Sequence, residues 1–220
     1  MTFLRGRIAW LFGADRIRRF FFWTADKKTI CGIVVGTLAH SEKHQKIIFG
    51  KVEKALLLIQ AHDTIRFGQI RRYVKSIFVL GDPSARGYWH QELKMCQLEE
   101  TFVRGEDSSI AEIASVIVHE ATHARLMLLG FGYEEPKRLR IEHICLDAQR
   151  SFIRRLPNED ELLNQIEETK SYYDNDHFSD SGRQEAELKA LATLGVPQWI
   201  IRLLTKLTLL RKSENVRRKE

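Results

Sequence analysis

Residues 109–130 read Ser109-Ile110-Ala111-Glu112-Ile113-Ala114-Ser115-Val116-Ile117-Val118-His119-Glu120-Ala121-Thr122-His123-Ala124-Arg125-Leu126-Met127-Leu128-Leu129-Gly130. Ser109 followed three residues later by Glu112 is a capping box, which satisfies two orphan amides at a helix start. Gly130 suits the residue just past a helix end. The spacing therefore predicts a helix from Ile110 to about Leu129. Within it stands H-E-x-x-H, as His119, Glu120 and His123. Residues four apart are separated by about 40° around a helix, so both imidazoles project from one face. They can take two positions of a tetrahedral zinc. Glu120 points about 100° away, where it cannot share the ion but can reach a water on it, the place of a general base. Val116, Ile117 and Val118 imply a buried face, where two imidazoles and a carboxylate are costly without a cation. The plainer alternative is a surface helix with solvated histidines.

Working outward, Pro136 opens and Pro157 closes a second helix, about Lys137–Leu156, and a third covers about Glu159–Tyr173. Further on, a loop over Asp174–Ser181, a helix over Gly182–Leu194 and a last helix after Pro197 are expected. Upstream, Ile30–Leu38 and Tyr73–Leu80 read as strands by their Val, Ile, Tyr and Phe content. Ser41 to about Ile65 reads as one long helix. Gly87–Val103 is half polar, as an exposed sheet edge or two short strands would be. The expected class is α+β: mostly helical, with a small, largely antiparallel sheet.

A zinc needs a third protein ligand. His is missing six residues after His123, where Leu129 stands, and no inverted H-x-x-E-H occurs. On the second helix, Glu142 falls at about 300° from Leu139, inside the apolar arc formed by Ile141, Cys145, Leu146, Ala148, Phe152, Ile153 and Leu156. A carboxylate on that face wants a cation. His143, Asp147, Glu134 and Glu135 remain alternatives, and Glu142 could instead pair with Arg125 or Arg138. As a ligand, Glu142 should lie within about 5 Å of both imidazoles, since coordination brings each to about 2.0–2.2 Å of a shared centre.

H-E-x-x-H with Glu142 on the following helix resembles the gluzincin branch of the zincin metallopeptidases. The resemblance extends to the order of elements over about residues 41–156: a backing helix, strands, a polar edge strand, the H-E-x-x-H helix and the third-ligand helix. It implies a zincin-like catalytic domain over 41–195, between a basic apolar segment (1–40) and an amphipathic helix with a basic tail (196–220). It further implies Zn2+ held by His119, His123 and Glu142, with Glu120 as the base that activates a zinc-held water against a peptide bond. A peptide or protein substrate would pair with the edge strand. Candidate oxyanion donors are Tyr172, Tyr173 and His177. No Gly-x-Met-Glu-Asn-like segment supports an aminopeptidase.

Composition sets the remaining bounds. The 220 residues carry a net charge of +6, are 44% hydrophobic and 29% charged, and include three dispersed cysteines. That excludes a disordered chain, a disulfide scaffold and a cysteine-based zinc site. Residues 1–28 hold seven Lys/Arg against two Asp, residues 202–220 hold seven against two Glu, and the body between is mildly acidic. An acidic body is not expected to bind nucleic acid. Basic ends with aromatic and leucine-rich stripes, over 3–23 and 197–212, suit a peripheral membrane contact or an acidic partner. Without a spanning or signal segment, a cytoplasmic location is expected. A non-catalytic module targeted by its ends is the alternative function.

Overall fold

The computed structural model describes residues 14–81 and 85–173. Helix α1 (Ala14–Thr24) leads into a hairpin of β1 (Asp26–Ile30) and β2 (Ile33–Thr37). The strand expected over residues 30–38 is therefore interrupted. Cys31 and Gly32 both take positive φ, 52° and 82°, which makes the two-residue turn whose twist matches a hairpin. Phe22 pins α1 to the sheet by packing edge-on against Phe78, with ring centroids 5.2 Å apart. Gly36 makes room for it, because a β-carbon there would stand 2.7 Å from the Phe22 ring.

Helix α2 (Glu42–His62) is capped by Ser41, whose side chain accepts from the His44 amide. The helical run does not continue to residue 65. Asp63 ends α2, and its side chain caps the amide of Arg66 to start α3 (Thr64–Tyr73). A short carboxylate that competes for backbone amides breaks one long helix into two. Asp63 is 1% exposed and is paired with Arg66 and Arg155.

Strand β3 (Ser76–Leu80) follows, then β4 (Gly87–His90), β5 (Met95–Glu99) and the short helix α4 (Glu100–Arg104). The polar run over 87–103 is thus two strands and a helical turn, the last capped by Glu99 accepting from the Thr101 and Phe102 amides. The five strands lie in the order β1-β2-β3-β5-β4. The outer pairs β1–β2 and β4–β5 are antiparallel, and the inner pairs β2–β3 and β3–β5 are parallel. The sheet is therefore mixed rather than largely antiparallel. The α2–α3 crossover returns the chain to run parallel to β2, as helical connections do. The expected boundary at residue 40 also falls inside this body, since β1 and β2 share the sheet with β3.

Three helices complete the described chain: α5 (Ile110–Leu128), α6 (Glu135–Ile153) and α7 (Asp160–Tyr172). The capping box at Ser109 and Glu112 is formed in both directions. Helix α5 packs against α2, α3, α6 and β4. Ile113, Ala114, Ile117, Val118, Ala121 and Ala124 are buried along it, facing Ile48, Val52, Leu56 and Ile59 of α2 and a core that includes Phe152 of α6. The expected elements over 174–194 and after Pro197 lie outside the described residues, as does the start of the N-terminal stripe. No helix among the described residues is long and apolar enough to cross a membrane.

Because Ser109 closes two hydrogen bonds at the start of the central helix, Ser109→Ala should cost about 1 kcal/mol. Urea denaturation should show a lower midpoint at an unchanged slope. An unchanged midpoint would mean that the cap contributes nothing to α5.

Candidate metal centre

The chemistry gathers where α5 and α6 meet. Helix α5 supplies His119, Glu120 and His123. On α6, Glu142, Cys145 and Gln149 form a buried stripe at positions i, i+3 and i+7, the spacing that lines one helical face. Glu120, His123 and Glu142 are each buried. The two Nε2 atoms stand 3.1 Å apart. His119 Nε2 lies 3.2 Å from Glu142 Oε2, and His123 Nε2 lies 3.4 Å from Glu142 Oε1.

These separations allow a test of fit. Ligands arranged tetrahedrally about 2.0–2.1 Å from a zinc stand about 3.3 Å from one another. The three contacts, 3.1, 3.2 and 3.4 Å, are of that size, with each imidazole facing a different oxygen of the Glu142 carboxylate. Two neutral imidazoles and one carboxylate also form a donor set that zinc takes. The far side of His119 is held as well, with Nδ1 2.8 Å from Gln149 Oε1.

Cys145 joins the neighbourhood, its Sγ within 4.8 Å of a ligand nitrogen on both histidines. Sequence reasoning placed it only in the apolar arc. Burial, together with the Glu142 and Glu120 charges, pushes its thiol far above the ordinary range, so it stays protonated beside the ionised Glu142.

The two carboxylates are treated differently. Burial alone would raise Glu142, but hydrogen bonds from His119 and His123 outweigh it and hold the group well below the ordinary carboxylate range. The Tyr133 hydroxyl also donates to Glu142 Oε1. Glu120 is raised by burial, and the nearby imidazoles only partly offset this; its Oε2 is buried with no hydrogen-bond partner. For His119, burial opposes the charge, but the hydrogen bond to Glu142 and the Glu120 and Glu142 charges prevail and raise it to about 9.

The other candidates are placed elsewhere or occupied. Asp147 pairs with Lys170 and Arg150 at 2.7 and 3.2 Å, Glu134 with Lys137 at 2.8 Å, and Glu135 is exposed. His143 is half-buried on α6, its Nε2 enclosed without a partner. Arg125 is exposed, and Arg138 reaches the Tyr133 carbonyl and ring. Tyr172 is 69% exposed. Tyr173 is half-buried, its phenol raised by burial and by the Glu142 charge. His177 lies outside the described residues.

Sequence reasoning passed over Tyr133, Gln149, Ser115 and Gly87. Tyr133 sits in the loop between α5 and α6 and stacks edge-on against His123 at 5.6 Å. An aromatic residue between Gly130 and the third-ligand helix was the available signal. Gly87 begins the outer strand β4 where it meets α5. A β-carbon there would stand 2.5 Å from Val116 Cγ1 and 2.9 Å from Glu120 Oε1. Only glycine lets the strand lie this close to the glutamate.

Gly87→Ala should therefore overpack the β4–α5 contact and cost about 1–3 kcal/mol, read as a lower thermal midpoint. Full retention of stability would mean that the strand yields freely and does not hold Glu120 in place. No protein-family model matches the chain, and no curated protein or solved structure matches it.

Proposed function

We propose that the chain is a zinc-dependent peptidase of gluzincin-like layout, with His119, His123 and Glu142 as metal ligands and Glu120 as general base. The observation that carries this reading is the triangle of two Nε2 atoms and a carboxylate with edges of 3.1–3.4 Å, next to a buried glutamate with an unpartnered oxygen. Zinc there would supply Lewis acidity, bringing a water toward a pKa of about 7. Glu120 accepts the proton of the water whose oxygen adds to the scissile carbonyl, then gives it to the leaving amine as the C–N bond breaks. Its burial favours holding that proton between the two steps. Strand β4 is one of the two edge strands of the sheet, and a sheet edge is where an extended peptide backbone can add as a further strand. Tyr133 and Tyr173 are the hydroxyls near enough to Glu142 to be tested as partners of the developing oxyanion; Tyr172, by its exposure, is not.

Glu120→Gln should keep zinc but lower hydrolysis of a peptide library by about 10²–10⁴-fold. His119→Ala, His123→Ala and Glu142→Ala should each weaken zinc, measured against a competing chelator, whereas Cys145→Ala should not. Zinc loss in Cys145→Ala with retention in Glu142→Ala would replace the carboxylate by the thiolate and overturn the assignment.

A pH dependence follows from the proton on His119, whose pKa is about 9. Zinc must displace that proton. Affinity should therefore rise with pH up to about 9 and fall below it, with proton release on zinc uptake near neutrality. Calorimetry in buffers of different ionisation enthalpy checks this, and zinc uptake without proton release would contradict it.

The second reading, a non-catalytic module held at an anionic membrane surface, is favoured by α1, where Phe20 and Trp23 are 58% and 73% exposed beside Arg18 and Arg19. Salt-sensitive co-sedimentation with anionic vesicles by a chain that binds no zinc would favour this reading over the enzyme.

A further inference from the structure

Two further buried polar side chains sit behind His119, on its Nδ1 side. Ser115 and Gln149 are 2% and 7% exposed. Ser115 lies one helical turn before His119 on α5, and Gln149 lies two turns after Glu142 on α6. They are joined in a line. The Ser115 hydroxyl donates to the Glu112 carbonyl at 2.9 Å, the Gln149 amide nitrogen donates to Ser115 Oγ at 3.2 Å, and Gln149 Oε1 faces His119 Nδ1 at 2.8 Å.

The direction of this line can be followed atom by atom. A hydroxyl has one proton, and that of Ser115 is given to the helix carbonyl. Its oxygen is thus left to accept, and the amide must turn its NH2 group toward Ser115. The amide oxygen then faces the imidazole, and an amide oxygen only accepts. His119 must therefore carry its proton on Nδ1. In the neutral ring the lone pair is then on Nε2, the atom 3.1 Å from His123 Nε2 and 3.2 Å from Glu142. The opposite setting would require the Ser115 proton to leave the Glu112 carbonyl for Gln149 Oε1, with the amide then donating to Nδ1. That setting puts a proton on Nε2, where a metal would have to bind.

We propose that Gln149, oriented by Ser115, is the positioning residue that fixes His119 in its Nδ1–H form and thereby sets the metal affinity of the centre. The proposal rests on the metal reading above. Outer-shell partners of ligating histidines fix tautomer and ring orientation in this way, and their removal costs about 10–100-fold in metal affinity. Gln149 does so without adding charge, beside Glu120 and Glu142, which already place two carboxylates in the same buried space.

The test combines zinc competition with nitrogen-15 NMR of the His119 ring. The parent should show the Nδ1–H tautomer, both zinc-loaded and in the neutral metal-free ring. Gln149→Leu should bind zinc about 10–100-fold more weakly, Gln149→Glu should recover most of the loss because a carboxylate also accepts from Nδ1–H, and Ser115→Ala should fall between. Circular dichroism of the metal-free chains checks that the fold is kept, and if Gln149→Leu does not fold, Ser115→Ala and the parent spectrum decide. Parent-like affinity in Gln149→Leu, or an Nε2–H ring in the parent, would overturn the proposal. A parent that takes up no zinc would instead bring down the metal reading, and the tautomer of the metal-free ring would still decide whether the relay operates.

Discussion

Two carboxylates and two imidazoles share one buried contact between α5 and α6. Placing ionised groups out of water costs several kcal/mol each unless opposite charge and hydrogen bonds compensate them. Glu142 is compensated by both histidines and Tyr133. Glu120 has an enclosed oxygen with no partner. The arrangement is thus satisfied on one side and open on the other. A divalent cation in the triangle would offset the negative charge that the protein's own groups leave over. Much of the surrounding structure holds the two helices at the separation seen here.

The scaffold reaches that separation by local means. The capping box starts α5 at Ser109, and the Asp63 break folds α2 and α3 back so that both pack on α5. Pro136, in the first turn of α6, is preorganised for a helix start and begins the run that carries Glu142, Cys145 and Gln149. Strand β4 approaches from the other side, and Gly87 lets its backbone close on Glu120. The outcome is a pair of glutamates pushed in opposite directions: Glu142 lowered by donors, Glu120 raised by burial. Environments that drive two nearby carboxyls apart in this way separate a charge-bearing role from a proton-carrying one.

Much of this was legible in the residue order. H-E-x-x-H on a capped helix and a glutamate inside the apolar arc of the next are local periodic signals, and periodicity survives folding. Sheet order was not legible, because strands of four or five residues carry little pattern and their parallel pairing depends on a crossover. The break at Asp63 was hidden because one polar residue at helical spacing looks like an exposed position; its burial and its pairing with Arg155 are long-range facts. Gln149 and Ser115 were invisible for a related reason. Each is an ordinary polar residue on its own helix, and they become a relay only once α5 and α6 are in contact. Gly87 carried no signal at all, since what it makes room for, Val116 and Glu120, lies on a helix far along the chain.

X-ray absorption at the zinc edge of the loaded chain tests the central claim most directly. The account predicts one zinc per chain in a shell of nitrogen and oxygen at about 2.0–2.1 Å, with imidazole scattering from two histidines and no sulfur. A sulfur shell at about 2.3 Å would put Cys145 in the place given to Glu142, and a chain that takes up no zinc would contradict the account as a whole.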